Sequence, residues 1–332
     1  MPDHTDATEP TDPPKRKLNS RPWPSAIRPP NSTPAPESAT PTPDDPDRWT
    51  VLRLLTWTTD YLKRRGAESP RLDAEVLLAH ALDYQRVQLY THFDQEVLPA
   101  PRALFKDLVR RRAEGAPVAY LVGRKEFYSL PLKVTPAVLI PRPDTEFVVV
   151  EFLNVAKSLP NVRAVDVGTG SGCIALACAH HHKSAHFVAI DISSEALALA
   201  SENARALDLA DRITFLEGNL LAPVSSAPPF DVILSNPPYI PTDVIPTLEP
   251  GVRNHEPHLA LDGGPDGLRL VTLLIHQAIP LLKPGGHLIL EIGSDQEPPL
   301  RALLNSIPSL TLAPTIRDHA NHPRVLRATK HP

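Results

Sequence analysis

Val165-Asp166-Val167-Gly168-Thr169-Gly170-Ser171-Gly172 joins an apolar run to a loop with glycine at every second position, and a second apolar run begins at Cys173. That order reads as a buried strand turning into a helix, with glycines that let the backbone approach a bound molecule of the nucleotide type. A dinucleotide fingerprint is excluded, because its third glycine would fall at position 173, which is Cys. No Gly-Lys pair is followed by Ser or Thr, so a phosphate-cradling loop is excluded as well. Asp191 closes the next apolar run, where a carboxylate can accept both hydroxyl protons of a ribose; capping the helix ahead of Ser193 is the alternative.

Outward from this loop, strands and helices alternate. Strands are predicted at 163–167, 186–190, 213–216, 231–235 and 286–291, with two short ones flanking Asp318-His319-Ala320-Asn321, and helices over 173–182 and from 193. The pattern implies an α/β, doubly wound sheet with an antiparallel end. Ahead of it, Val51, Leu54, Leu55, Thr58 and Leu62 share a helical face that Gly66 can end. A second helix starts at Ser69-Pro70, with serine as cap, and runs through Leu72, Val76, Leu77 and Ala81; a third follows Pro101 with Leu104 and Leu108. Residues 48–122 therefore read as a small helical domain. Residues 123–136 read as a hairpin linker around a Leu-Pro turn, and 137–330 as the α/β domain. Arg110, Arg111 and Arg112 form either a solvated helix face or a docking surface for an acidic or RNA-like partner.

The chain has 332 residues, of which 40 are proline, and 13 of these fall in residues 1–47 together with eight acids and five bases. Such a segment cannot bury enough apolar surface to offset its ordering entropy, so a disordered Pro-rich tail is expected there. The formal net charge of -4 excludes a basic field for non-specific binding to nucleic acid or acidic membrane. No apolar run approaches the roughly 18 residues of a membrane span, so a soluble protein without membrane contact is expected. The only cysteines, Cys173 and Cys178, suit neither a zinc site nor a disulfide framework and read as small packed apolar residues in a reducing cytoplasm.

Asn236-Pro237-Pro238-Tyr239 follows the strand at 231–235, which places it at the carboxyl edge of the sheet beside the glycine loop. A residue before proline is held extended, and proline supplies no amide hydrogen, so two acceptors are fixed: the Asn236 side-chain carbonyl and the Pro237 backbone carbonyl. Together they can take both hydrogens of a planar NH2 group and aim its nitrogen at an electrophile, with Tyr239 as an aromatic wall. A turn made by two prolines is the bland alternative.

With Asp-x-Gly-x-Gly-x-Gly followed by Asn-Pro-Pro-Tyr, the chain resembles the S-adenosylmethionine-dependent amino-methyltransferases. Glu126-Phe127-Tyr128-Ser129-Leu130-Pro131-Leu132, Leu139-Ile140-Pro141-Arg142-Pro143-Asp144-Thr145-Glu146 and Val252-Arg253-Asn254-His255-Glu256-Pro257 are similar to one family among them, as is Ser69-Pro70-Arg71-Leu72-Asp73-Ala74-Glu75 in the helical domain. It is the peptide chain release factor N5-glutamine methyltransferases, known as PrmC or HemK. The resemblance implies a Rossmann-like class I methyltransferase sheet, S-adenosyl-L-methionine as cofactor, and the glutamine of the Gly-Gly-Gln tip of class I release factors as substrate. It implies that Gly168, Thr169, Gly170, Ser171, Gly172, Asp191, Asn219, Leu220 and Asn236 contact the cofactor. Asn236, Pro237 and Tyr239 would carry the chemistry, and Asn236, Pro237, Pro238, Tyr239, Phe127 and Arg142 would bind substrate. Arg142 and Glu146 would order the entrance, while Phe127 serves either the methyl-transfer pocket or the hairpin core. Where many members have an acid followed by an aromatic residue against the adenine, this chain has Asn219-Leu220, which implies weaker cofactor binding. By the same resemblance the helical domain recognises the release factor. A monomer with no metal and no direct nucleic-acid contact is expected.

His180-His181-His182 ends the helix after the glycine loop, where cations suit the dipole, and three consecutive residues cannot face one ion. Asp262-Gly263-Gly264-Pro265-Asp266-Gly267 lacks calcium-loop spacing and reads as a turn before a helix. Three rival functions remain: methylation of a glutamine on a ribosomal protein, methylation of an adenine or guanine amine, for which Asn-Pro-Pro-Tyr is equally suited, and binding of S-adenosylmethionine without turnover.

Overall fold

A computed structural model describes residues 48–332; the expected tail, 1–47, lies outside the described residues. Helix α1, Val51–Arg64, starts where the Thr50 hydroxyl accepts from the Arg53 amide, and it buries Val51, Leu54, Leu55, Thr58 and Leu62, the face read from the sequence. Gly66, at φ +83°, follows its last turn. Helix α2 is Pro70–Leu82, α3 Arg86–Thr91, α4 Pro99–Ala113 and α5 Val118–Val122. Two expectations for α2 are corrected. Ser69 makes no side-chain capping bond, and the buried face is Asp73, Ala74, Glu75, Leu77, Leu78 and Ala79, with Leu72 exposed.

The rotation is possible because the two buried acids have partners. Asp73 accepts from Arg112 at 2.8 Å, and Glu75 meets Arg71 at 2.7 Å, Arg86 at 3.3 Å and the Tyr90 hydroxyl. Burial alone would raise the Glu75 carboxyl, but Tyr90, Arg71 and Arg86 together hold it below the usual range. The arginine cluster is accordingly divided: Arg112 serves the helical core, Arg110 bridges Asp107 and Glu114 on its own helix, and Arg111 is exposed. Helices α3 and α5 were not visible in the sequence because each is too short to show a period.

The hairpin pairs β1, Arg124–Phe127, with β2, Leu130–Lys133, so that Phe127 faces Leu130. Its turn is Tyr128-Ser129, not Leu-Pro. Both residues lie in the left-handed region, at φ +48° and +62°, as a two-residue hairpin turn that follows the strand twist requires. Glu146 accepts the Tyr128 amide at 3.0 Å and helps hold this turn.

After the hairpin the elements run α6 Glu146–Ala156, β3 Val162–Val167, α7 Cys173–His181, β4 Ala185–Asp191, α8 Ser194–Ala206, β5 Ile213–Glu217, β6 Phe230–Ser235 and β7 Ile240–Pro241. They continue through α9 Pro250–Arg253, β8 Asp262–Gly264, α10 Arg269–Leu281, β9 Leu282–Glu291, α11 Glu297–Asn305, β10 Leu310–Leu312, β11 Ile316–Arg317 and β12 Pro323–Lys330. The large sheet has the order β10-β12-β9-β6-β3-β4-β5, with β11 beside β12. Strands β9, β6, β3, β4 and β5 are parallel, and β12 runs antiparallel to its neighbours, as the sequence predicted. One core under the sheet gathers Phe152, Leu176, Phe187 and Val232, and the other gathers Val165, Ile233, Leu274 and Leu288, so helices cover both faces.

Register sets the active edge. Chain order reverses at β3, which has β4 on one side and β6 on the other, and this reversal opens a crevice at the carboxyl ends. Val167 lies opposite Ile190 and Ser235, Asp191 opposite Glu217, and Ser235 opposite Leu290. The residues that follow or end these strands, Gly168, Asp191, Gly218, Asn236 and Glu291, thus emerge at nearly one level.

Candidate active site

A cavity of about 420 Å³ occupies this crevice. Gly168, Thr169, Gly170, Ser171, Asp191, Asn219, Leu220, Arg142, Asn236 and Pro238 all line it, so tertiary structure brings together residues spread over nearly a hundred positions. The glycine loop is pinned from below. Gly168 and Thr169 donate to the Ile190 carbonyl at 2.8 and 3.0 Å, and Asn203 of α8 ties the Ser171 carbonyl to Lys133 of the hairpin. Gly168 and Gly170 have φ of +71° and +55°, and a methyl group built on either would meet nothing within 4 Å. The space above the loop is therefore open to a ligand, and the backbone there excludes side chains by conformation rather than by crowding.

Beneath the loop, Asp166 is fully buried. Burial pushes its carboxyl up to about 7, partly offset by the Thr169 hydroxyl at 2.7 Å and the Ala175 amide at 3.2 Å. Asp191 accepts from the Gly170 amide at 2.8 Å and the Ser193 amide at 3.0 Å. Ser193 itself caps α8, accepting from Ala196 at 3.1 Å, so helix capping does not fall to Asp191. Each Asp191 oxygen accepts one of these two bonds and retains capacity for another, and Asp191 lines the cavity. Ile192, 48% exposed, and Leu220, at φ +51°, offer apolar surface in the same cavity.

The Asn-Pro-Pro-Tyr loop is held on three sides. Asn236 donates its Nδ2 to the Thr145 hydroxyl at 3.1 Å, and Gln296 donates its Nε2 to the Tyr239 carbonyl and the Gly267 carbonyl, both at 3.0 Å. Gly267 packs so closely that an added Cβ would lie 2.3 Å from the Tyr239 carbonyl. The segment read only as a turn is thus the support of the loop: β8 pairs with β7, and Gly263 faces the Pro238 carbonyl. No described residue donates to the Pro237 carbonyl or to Asn236 Oδ1. Pro237 is buried behind the cavity wall, and Tyr239, outside that wall, has its phenol pushed up to about 12 by burial and by Glu291.

Of the two roles expected of Phe127, the structure shows the hairpin core and not the pocket: it is 1% exposed, belongs to the core cluster, and lines no part of the cavity. Arg142 pairs with buried Glu256 and donates to the Ile140 carbonyl at 2.9 Å, while Glu256 also accepts the Ile140 amide at 3.1 Å. This joins two segments more than a hundred residues apart. Cys173 lines the cavity, and burial pushes its thiol up to about 12, which leaves it a neutral packing group. His181 stacks edge-on with Tyr128, and His182 contacts the Ala156 carbonyl at 3.2 Å. Among the described residues no group of three or more His, Cys, Asp or Glu could hold a metal ion, and no helix is long and apolar enough to cross a membrane. Thr145, Ile192, Asn203, Gln296, Gly267 and Glu291 were not assigned from the sequence; only the position of Thr145 and Glu291 near motif boundaries could have drawn notice.

A glycine loop after the first parallel strand, a carboxylate at the end of the second and Asn-Pro-Pro-Tyr after the fourth define a class I methyltransferase. Residues 146–245 match the methyltransferase small domain. The hMettl16 catalytic domain in complex with MAT2A 3′UTR hairpin 6 shares the fold, with a TM-score of 0.50 and 18% identity over 68% of this chain and 82% of that one. Residues 53–123 match the PrmC N-terminal domain. The chain is 43% identical over 286 residues to the release factor glutamine methyltransferase of Rhodopirellula baltica, covering 85% of this chain and 97% of that one. It is 46% identical over 279 residues to that of Moorella thermoacetica, covering 84% and 98%. The chain belongs to the release factor glutamine methyltransferase family.

Proposed function

We propose that the protein transfers a methyl group from S-adenosyl-L-methionine to the side-chain amide nitrogen of the glutamine in the Gly-Gly-Gln tip of class I release factors. The observation that carries this reading is the pair of unoccupied acceptors, Asn236 Oδ1 and the Pro237 carbonyl, on a loop whose Asn236 and Pro238 line the cavity together with the glycine loop and Asp191. When bound, the cofactor supplies an electrophilic methyl on a sulfonium. Gly168, Gly170 and the intervening backbone would hold its amino-acid end, Asp191 its ribose, and Asn219, Leu220 and Ile192 its adenine.

An amide nitrogen is a poor nucleophile because its lone pair is delocalised. Asn236 and Pro237 accept its two hydrogens, orient it in line, and favour the positive charge that develops on it. Cys173 lines the cavity and Tyr239 lies behind its wall; both stay neutral and neither takes the proton, which leaves to solvent after transfer. The helical region selects the protein substrate away from the pocket, and it exposes Trp57, Val87, Tyr90 and Leu98 for that purpose. Labelled methyl is expected on an intact class I release factor, none after Gln→Ala in its tip, and little on a short tip peptide. Preferential labelling of DNA, RNA or a ribosomal protein would overturn the reading.

A further inference from the structure

We propose that Thr145 and Glu291 are positioning residues for methyl transfer: they lock the Asn236 carboxamide in the orientation that turns its oxygen, not its nitrogen, toward the incoming amide. This rests on the reading of Asn236 given above. A carboxamide has an acceptor end and a donor end of nearly equal size, and rotation by half a turn would present NH2 to the NH2 of the substrate. Something must choose between the two states.

Thr145 makes the choice, because Asn236 Nδ2 donates to its hydroxyl at 3.1 Å. The Thr145 hydroxyl has a single hydrogen, and it accepts from Asn236 unambiguously only when that hydrogen is taken elsewhere. Glu291 is the group placed to take it: both side chains are buried, and the Thr145 hydroxyl opposes the rise that burial imposes on the Glu291 carboxyl. The parallel register of β6 with β9 produces this meeting: Ser235 lies opposite Leu290, so Glu291 ends its strand at the level of Asn236. Thr145 enters from the short turn Pro143–Thr145 ahead of α6. Both residues are 2% exposed, which keeps water from competing for either bond.

Stability does not account for the carboxyl. Glu291 Oε2 is buried with no hydrogen-bond partner, and burial raises its pKa, so the group is held there at a cost. Arg142 and Arg324 offset only part of it.

The test is a kinetic double-mutant cycle with full-length protein, S-adenosylmethionine and an intact release factor. Thr145→Val, nearly isosteric, is expected to lower kcat about tenfold to 10²-fold with both KM values within about threefold, and Thr145→Ser to retain most of the rate. In the Asn236→Ala background the Thr145→Val change is expected to cost less than about twofold, because the group it orients is gone. Glu291→Gln keeps an acceptor for the Thr145 hydrogen and is expected to lose less than Glu291→Leu. An active wild type whose Thr145→Val variant keeps its kcat, or loses as much with Asn236→Ala as without it, overturns the positioning role alone. A wild type that labels no release factor overturns the functional reading and this inference with it.

Discussion

Asp191 has two engagements in the folded chain, holding the Gly170 and Ser193 amides while it lines the cavity. Asp191→Ala removes the charged acceptor and loosens the glycine loop in one step. Hydrogen bonds to a charged group contribute about 1.5 to 3 kcal/mol, so affinity for S-adenosylmethionine is expected to fall tenfold or more by calorimetry. Unchanged affinity would remove Asp191 from the cofactor site. Asn219 permits a change in the opposite direction. It lines the same cavity with a neutral carboxamide, and charge-assisted hydrogen bonds are roughly twice as strong as neutral ones. Asn219→Asp is therefore expected to tighten cofactor binding about twofold to fivefold, and weaker binding would show that the adenine amine lies elsewhere.

Among the elements, the support under Asn-Pro-Pro-Tyr is the most sensitive. Gly267 combines φ +72° with backbone contact to Tyr239, so Gly267→Ala both enters a disfavoured conformation and pushes the loop outward. A stability loss of about 1 to 3 kcal/mol is expected from denaturant melts, and kcat should fall with it as Asn236 moves. Retained kcat at lowered stability would separate the loop from the chemistry. The hairpin turn allows the reverse experiment. Ser129 sits at φ +62° in a two-residue turn whose second position favours glycine, so Ser129→Gly is expected to raise stability by about 0.5 to 1 kcal/mol. A lowered melting temperature would mean that the Ser129 side chain contributes more than its backbone strain costs.

For the whole molecule, the two buried carboxyls at the active edge set a pH dependence. Burial raises Glu291 to about 7, with Asp144 adding to it and Thr145, Arg324 and Arg142 opposing; it raises Asp166 to about 7 as well. The folded state then keeps a proton that the unfolded chain releases near 4.5, so the contribution of Glu291 to stability is full below that pH and is lost as pH rises to about 7. Glu291→Gln has no such loss, and Asp166 is common to both proteins. The melting temperature of the variant relative to wild type is expected to climb between pH 4.5 and 7 and level off above. A flat difference across that range would place the Glu291 pKa near its ordinary value.

What the sequence determined by itself was local or periodic. The glycine loop, the alternation of strands and helices, the face of α1 and the Asn-Pro-Pro-Tyr motif depend on backbone conformation and on spacing within one element, and these are written in consecutive residues. Only tertiary structure decided which neighbours those residues meet. The face of α2 turned because Asp73 and Glu75 found cationic partners on other helices, Arg112 among them, and Phe127 went to the core because its hairpin packs on α6 and the sheet. The Leu-Pro turn gave way to Tyr128-Ser129 because strand register and the Glu146 carboxylate select the turn. Thr145 from one segment, and Glu291 and Gln296 from another about 150 residues away, converge on a four-residue loop through a sheet register that no single stretch of chain encodes.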